Sequence, residues 1–322
     1  MDDAEFLDPF ARLLDDVSSP AQVRAAQGGA GISALWSAIS ESGFLDALVP
    51  EEAGGVGLSL RAVGPLVEAL GARATPAPVA ETMVARALLA EAGVAMPAGP
   101  IVLATGAALR VPLAMVAEHV LLDTGSALLL CPLDEGSRRS AGVPGSLAAD
   151  LVVDEGQAIE RPADGLRPIA AALRAAQIAG AASRLLDMTV AYANERSQFG
   201  KPIGKQQAIQ QQLSVMAEKM VMARMAARIG TACTLRPTPA TAATAKSVAS
   251  AAAVDIAAIA HAVHGAIGIS EEHDLQLFTR SLHEWRAADG SEGYWSAILG
   301  RVRLADEAST SADFIRTLSA PA

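Results

Sequence analysis

The stretch ANERSQFGKPIGKQQ, residues 193–207, interrupts an alanine-rich helical pattern with an arginine, an amide, an aromatic ring, two glycines and a proline. A guanidinium holds a diphosphate through paired charge-assisted hydrogen bonds, an amide adds a further bond, and a ring covers an adenine or flavin edge. Arg196, Gln198 and Phe199 are therefore candidate contacts for a dinucleotide. The same residues also suit a plain helix end, with the arginine on the last carbonyls and the phenylalanine packed as a staple. Spacing alone leaves both readings open. Four histidines, His261, His264, His273 and His283, invite a metal reading, and His261 and His264 have helical i, i+3 spacing. No carboxylate or cysteine at matching spacing completes a shell, so the structural reading is preferred and no metal is expected. Glu271, Glu272, Asp274, Glu284 and Glu292 read as solvated helix faces. No serine sits on a strand-to-helix elbow, which leaves a Ser-His-Asp nucleophile unsupported.

These residues need elements to hold them. Residues 4–96 carry helical spacing with turn punctuation, including the glycine-rich loop in LVPEEAGGVGLSL at 48–60. No strand precedes that loop, so it is not read as a nucleotide loop. From about 99 to 168 the runs IVLATG, RVPLAMVA, HVLLDTG, ALLLCPL and LVVDEG are short and β-prone, separated by Gly, Pro, Asp and Ser. Helical period then returns in four segments, about 171–195, 206–235, 239–263 and 272–304, with turns at RPTPAT and HGAIGIS. The plan is mainly α with a small β insert: an N-terminal helical domain over 1–96, a reduced β middle domain over 97–168, and a C-terminal four-helix bundle over 169–322.

Composition supports this plan. Of 322 residues, 51% are hydrophobic and only 3% aromatic, so burial rests on Ala, Leu, Val and Ile in closely packed helices. A formal charge of −10, from 25 basic and 35 acidic residues, disfavours nucleic acid or an anionic membrane surface as partner. Cys131 and Cys233 read as two isolated thiols of a reduced compartment. The N-terminus MDDAEFLDPF is acidic where a secretory signal would be basic, and 247–269 carries Asp255, His261 and His264, which reads as a buried bundle helix and not a membrane span. A cytoplasmic location is expected.

The run RSQFGKPI at 196–203, with the helix that follows it, closely resembles the C-terminal helical domain of acyl-CoA dehydrogenases, flavoenzymes that desaturate acyl-CoA thioesters. LVPEEAGGVGLSL resembles the family's N-terminal helical loop, HAVHGAIG at 261–268 its Gln-x-x-Gly-Gly-x-Gly turn, and RSLHEWRAADGS at 280–291 the segment that bears its Glu-Gly-Thr. The resemblance covers most of the chain. It implies a fold of helical domain, β domain and four-helix bundle, FAD as cofactor, and reoxidation by an electron-transfer flavoprotein. It implies further that Arg196, Gln198 and Phe199 reach the adenosine diphosphate half of an FAD held by a neighbouring subunit. On the same grounds His264, Gly265 and Gly268 approach a phosphate or ribose, Ser291 takes the cofactor-side threonine's place, and Asp289 stands at the position of the base.

Departures from the family's pattern point the function elsewhere. The Thr-Glu-Pro-type and Trp-Ile-Ser/Thr segments that hold the isoalloxazine are absent from 97–168, a region without tryptophan or tyrosine. Ala262 and Ala266 replace the glutamine and second glycine of the turn, and the alternative base position falls on Ala170. Aspartate is one methylene shorter than the family's glutamate, and a misplacement of about 1 Å costs on the order of a hundredfold in rate. Asp289 reads equally as an N-cap of a helix over 290–304. The first expectation is a companion subunit of a hetero-oligomer, α2β2, in which a full-length partner holds the isoalloxazine, the base and the acyl-CoA, and this chain completes the FAD site. Heteromers of this kind are associated with bulky substrates such as steroid side-chain thioesters. The alternatives are a self-sufficient homo-oligomer with Asp289 as base, and a flavin-free scaffold.

Overall fold

The computed structural model describes residues 4–106, 110–153 and 155–319. Residues 1–3, 107–109, 154 and 320–322, which fall within the three expected domains, lie outside the described residues. Five α-helices come first: α1 (Ala4–Val17), α2 (Pro20–Ala25), α3 (Ser33–Glu41), α4 (Leu60–Gly71) and α5 (Val79–Glu91). Ser19 caps α2 in a reciprocal box with Gln22, and Ser59 accepts from the Ala62 amide to start α4.

The middle region contains β1 (Ile101–Ala104), β2 (Arg110–Val111), β3 (His119–Asp123), β4 (Leu128–Pro132), β5 (Arg138–Ser140), β6 (Ala149–Leu151) and β7 (Gln157–Ile159). One sheet has the order β1-β3-β4-β7, parallel between β1 and β3 and antiparallel elsewhere; the other has the order β2-β6-β5. Four of the five β-prone runs contain a strand, and the fifth, LVVDEG, contributes only Leu151 to the end of β6. Two strands, β5 and β7, escape a hydrophobic reading because RRS and QAI have no apolar alternation long enough to register.

The C-terminal half begins with α6 (Arg167–Glu195), followed by a hairpin of β8 (Ser197–Gln198) and β9 (Lys201–Pro202). Next come α7 (Gln207–Thr231), α8 (Pro239–His264), α9 (Leu275–Ala287), α10 (Glu292–Ala305) and α11 (Ser311–Ser319). Thr238 and Pro239 start α8 as side-chain cap and pre-set first residue. The segment expected as one helix over 272–304 is two, because Asp289 (φ +57°) and Gly290 (φ +103°) are left-handed and break it. Small residues let the helices approach closely: a Cβ on Gly180 would lie 1.9 Å from the Glu68 carbonyl oxygen, and one on Gly71 would lie 2.1 Å from that of Gln177. α4 and α6 therefore meet backbone to backbone, which the low aromatic content permits. Helix α6 is the axis of the molecule, since α4, α7, α8 and α9 all pack on it.

Among the described residues one helical stretch, 239–269, is long and apolar enough to cross a membrane, with mean hydropathy 1.6. It lies among α6, α7, α9 and α10 and encloses Lys246. Cys131 and Cys233 are both free, and burial pushes the Cys233 thiol up to about 11.

Candidate functional site

The residues singled out by sequence fall into two groups near opposite ends of α6. From Arg174 to Arg196 the helix rises about 33 Å at 1.5 Å per residue.

At the far end, Arg196 caps α6: its amide donates to the Tyr192 carbonyl (2.9 Å) and its own carbonyl accepts from Ile203 (2.8 Å). Ser197 pairs with Pro202 and Gln198 with Lys201, so Phe199 and Gly200 form a two-residue hairpin turn. Both are left-handed, φ +54° and +78°, which is the turn type that matches strand twist and that normally selects Asn-Gly. A phenylalanine there is strained, because its Cβ crowds the backbone. Its ring is 93% exposed, so it staples nothing within the chain. The Arg196 side chain is exposed and joins no ion pair or carbonyl among the described residues. The plain helix-end reading of these residues therefore fails.

The end of α8 lies beside this hairpin, since Val263 packs with Ala193 and Ile203. Gly265, at φ +62°, turns the chain out of α8. Gly268 is required by proximity, because a Cβ would lie 2.9 Å from the His264 Cβ and 3.0 Å from Leu275 Cδ2. His264 itself is turned inward, 3% exposed, with its ring stacked on Tyr192 at 4.4 Å and edge-on to His273 at 5.0 Å. Its Nδ1 meets the Ala260 carbonyl at 2.8 Å, and its carbonyl accepts from the Tyr192 hydroxyl at 3.3 Å. Nδ1 must carry the proton, so Nε2 presents a lone pair that finds no partner among the described residues. Burial lowers its pKa below the ordinary value. The expectation that this side chain approaches a phosphate is corrected: the ring packs between α6 and α8. His261 Nε2 lies 3.1 Å from the Thr279 hydroxyl. Among the described residues no three of His, Cys, Asp and Glu are grouped to hold a metal.

At the near end, the Asp289 carboxylate is 8% exposed and fully engaged. Thr105 Oγ1 donates to Oδ1 (2.9 Å) and Arg174 Nε to Oδ2 (3.3 Å), while the Asp289 carbonyl accepts from Trp295 Nε1 (3.1 Å). Arg174 also pairs with Glu81, each 1% exposed, and donates to Gln177 Oε1 (2.9 Å). Lys246 Nζ donates to Ser250 Oγ (3.0 Å) and to the carbonyls of Arg286 and Gly290 (2.8 Å each), which clamps the connection between α9 and α10. Burial lowers this lysine to about 7, against the pull of Asp289. Asp289 does not cap α10; Ser291 occupies the cap position, and its hydroxyl makes no capping bond. This carboxylate is one corner of a buried ion cluster, Glu81–Arg174–Asp289 with Lys246, that ties α5, α6, α8 and the α9–α10 connection together. Helical spacing could not have revealed the cluster, because its members are distant in sequence and lie on four separate elements.

A cavity of about 440 Å³ opens next to this cluster, between α9 and the loop joining β5 to β6. Ala287 and Ala288 line it, and Asp289 does not. The carboxylate that does line it is Glu284, whose Oε2 accepts from Ser146 Oγ at 2.5 Å. That corrects the reading of Glu284 as part of a solvated face. Asp274 and Glu292 are also committed, to Arg24 and Arg286 respectively.

Known proteins agree with this architecture. Residues 2–95 match the family described as "Acyl-CoA dehydrogenase, N-terminal domain", and residues 169–304 match "Acyl-CoA dehydrogenase, C-terminal domain". The protein "Acyl-CoA dehydrogenase IpdE2" of Mycolicibacterium smegmatis is 32% identical over 291 residues, 85% of this chain and 89% of that protein. "Acyl-CoA dehydrogenase FadE34" of Mycobacterium tuberculosis is 30% identical over 289 residues, 81% of this chain but 41% of that longer protein. Among solved structures, the "Tcur3481-Tcur3483 steroid ACAD G363A variant" superposes with a TM-score of 0.83 at 23% identity, over 95% of this chain and 99% of that one. The "ChsE4-ChsE5 complex from Mycobacterium tuberculosis" does so at 0.76 and 21%, over 96% and 99%. The two family matches fall on the N-terminal helices and the C-terminal bundle and together span most of the chain, and the chain belongs to the acyl-CoA dehydrogenase family of oxidoreductases.

Proposed function

We propose that this chain is the companion subunit of a heteromeric, FAD-dependent acyl-CoA dehydrogenase, and that it completes the FAD site of a full-length partner through Arg196, Gln198 and Phe199. The observation that carries this reading is Phe199, a large ring held in a strained left-handed turn and 93% exposed beside an exposed arginine. Strained backbone of this kind clusters at active sites and ligand clamps. The exposed guanidinium, amide and ring fit the adenosine diphosphate half of FAD, and the glycines at 265 and 268 keep the neighbouring turn low. The isoalloxazine half has no comparable fit: the region 97–168 contains no tryptophan or tyrosine, and the carboxylate at the base position is taken by Thr105 and Arg174. FAD, when bound, supplies the hydride acceptor of the desaturation. In this reading the base and the acyl-CoA thioester belong to the partner, and an electron-transfer flavoprotein takes the electrons onward. Two of the solved relatives carry names of paired subunits, and one is called a steroid enzyme, which supports an α2β2 assembly acting on a bulky substrate such as a steroid side-chain CoA.

The test is reconstitution. Co-expressed with a full-length acyl-CoA dehydrogenase subunit, the wild-type chain forms a complex with the absorbance of bound flavin. Arg196→Ala and Phe199→Ala complexes assemble but lose most of that absorbance. Full flavin content in both variants would leave only a scaffold role. A lone chain that holds stoichiometric FAD and reduces it with acyl-CoA would overturn the companion reading in favour of a self-sufficient enzyme.

A further inference from the structure

Lys246 lies within α8, 0% exposed, and its Nζ has three hydrogen-bond neighbours: Ser250 Oγ at 3.0 Å and the carbonyls of Arg286 and Gly290 at 2.8 Å each. The two carbonyls flank the break between α9 and α10. Arg286 stands in the last turn of α9, where a carbonyl has no helical amide to accept from, and Gly290 precedes the cap residue of α10. One side chain on α8 thus serves both sides of a connection whose backbone is left-handed at Asp289 and Gly290. Ala287 and Ala288, at the start of that connection, form part of the neighbouring cavity's wall.

These three neighbours suit two states of the amine. An ammonium has three donors and no acceptor, and three acceptors surround it. A neutral amine has two donors and a lone pair. Its donors keep the two carbonyls, and the Ser250 hydroxyl turns to donate to the lone pair, so the closed connection accommodates either state. Charged groups act on the amine from several elements. Asp289 of the connection and Glu292 of α10 favour the ammonium, whereas Arg174 of α6, itself paired with Glu81 of α5, and Arg286 of α9 disfavour it. On the α7 side, Gly230 meets the neighbouring Ala245. Burial outweighs the carboxylates and brings the amine down to about 7.

We infer that Lys246 is a proton-controlled latch on the α9–α10 connection: a proton on its amine favours release of the connection, and loss of that proton to solvent favours closure. Released, the amine meets water and its pKa returns to about 10.4. Between the closed and released values, the released form binds a proton that the closed form lacks. Closure therefore strengthens as pH rises through this window, with release about tenfold rarer per pH unit, and is independent of this lysine below it.

Amide exchange on the full-length chain, corrected for the intrinsic rate at each pH, tests the latch. The reporters are the Ala288 amide, which donates to the Glu284 carbonyl, and the Trp295 amide, which donates to that of Ser291. Expected is a rise in their protection of about fiftyfold between pH 7 and 9, with little change from pH 6 to 7, while amides in the middle of α7 stay level. Lys246→Met, which keeps the length of the side chain and removes the titrating group, abolishes the rise. Lysine labelled with a carbon isotope at Cε gives an independent reading on the wild-type chain: one signal titrates at about 7, and the others near the ordinary lysine value. Level protection of Ala288 and Trp295 from pH 7 to 9 overturns the inference, as does a rise that persists in Lys246→Met. So does an equal rise in α7, because the whole fold would then be titrating. A wild-type chain in which every lysine titrates near the ordinary value overturns it even if Lys246→Met fails to fold.

Discussion

The two ends of α6 solve opposite problems. At the Arg174 end, charges are buried, paired and hydrogen-bonded into a cluster that fastens four elements, and Asp289 has been drawn into it. At the Arg196 end, a cation and a ring are exposed, one of them in a strained turn, and nothing among the described residues satisfies them. A residue spent on stability is saturated from within; a residue kept for binding is left open and held by the backbone. Composition does not separate the two, since each end contains an arginine. Their surroundings do.

The sharpest way to break the contrast is to truncate both arginines. Arg174→Ala leaves Glu81 and Asp289 buried and unpaired, and removal of one partner from a buried ion pair costs about 3–5 kcal/mol. Arg196→Ala changes an exposed side chain and shifts stability by no more than about 0.5 kcal/mol. Urea denaturation of both variants, at constant slope, measures the two values. A cost of similar size at the two positions would remove the distinction between a saturated and an open end.

Asp289→Asn gives a second, intermediate effect. It keeps the shape and can keep the Thr105 bond, but removes a charge opposite Arg174. A loss of about 1–3 kcal/mol in stability is expected. The reconstituted complex should desaturate acyl-CoA at an unchanged rate below the melting temperature. A fall in turnover of a hundredfold or more, at unchanged flavin content, would instead return Asp289 to the role of base.

How much of this is legible in the sequence depends on the range of the interactions. The helices of the bundle and most strands follow from period and punctuation, which are local. The turn after α6 is legible because RSQFGKPI packs two turn-forming residues, a glycine and a proline, into eight consecutive positions. The ion cluster is not, because Glu81, Arg174, Lys246 and Asp289 are far apart in sequence and only the packing of α5, α6 and α8 brings them together. Glu284 is misread for a related reason. The 3.6-residue period places it on the face of α9 away from Leu282 and Trp285, but the 141–148 loop, from another region of the chain, covers that face and supplies Ser146.

Phe199 sharpens the comparison from the Arg196 end. If its strain is retained for a ligand, Phe199→Gly should relieve it and stabilise the isolated chain by up to about 1 kcal/mol, since glycine adopts φ +54° without crowding. The same substitution should lower the flavin content of the complex. A rise in melting temperature together with a loss of cofactor is a pairing that a purely structural residue does not give. Destabilisation of the isolated chain would mean that the ring packs somewhere within it.

The smallest expected effect concerns His264, which couples the hairpin to the end of α8 by its stack on Tyr192. Burial depresses its pKa in the folded chain, so the unfolded chain binds a proton at this residue more readily. The groups that face it are His273 and His261, which also disfavour a positive charge, and the Ala260 carbonyl, which favours one. By linkage, the stability from keeping this ring neutral is present above the unfolded histidine value of about 6.5 and is lost as pH falls below it. The hairpin end should therefore loosen first in mild acid. Amide exchange in residues 192–203 and 261–269 should accelerate between about pH 6.5 and 5, while the Arg174 end, with no buried histidine in its cluster, keeps its protection over the same interval. His264→Gln, which offers an amide in place of a titrating ring, should flatten that dependence at the cost of the stack. An equal loss of protection at both ends would show that acid acts on the whole fold, and that the two ends of α6 do not differ in how they are held.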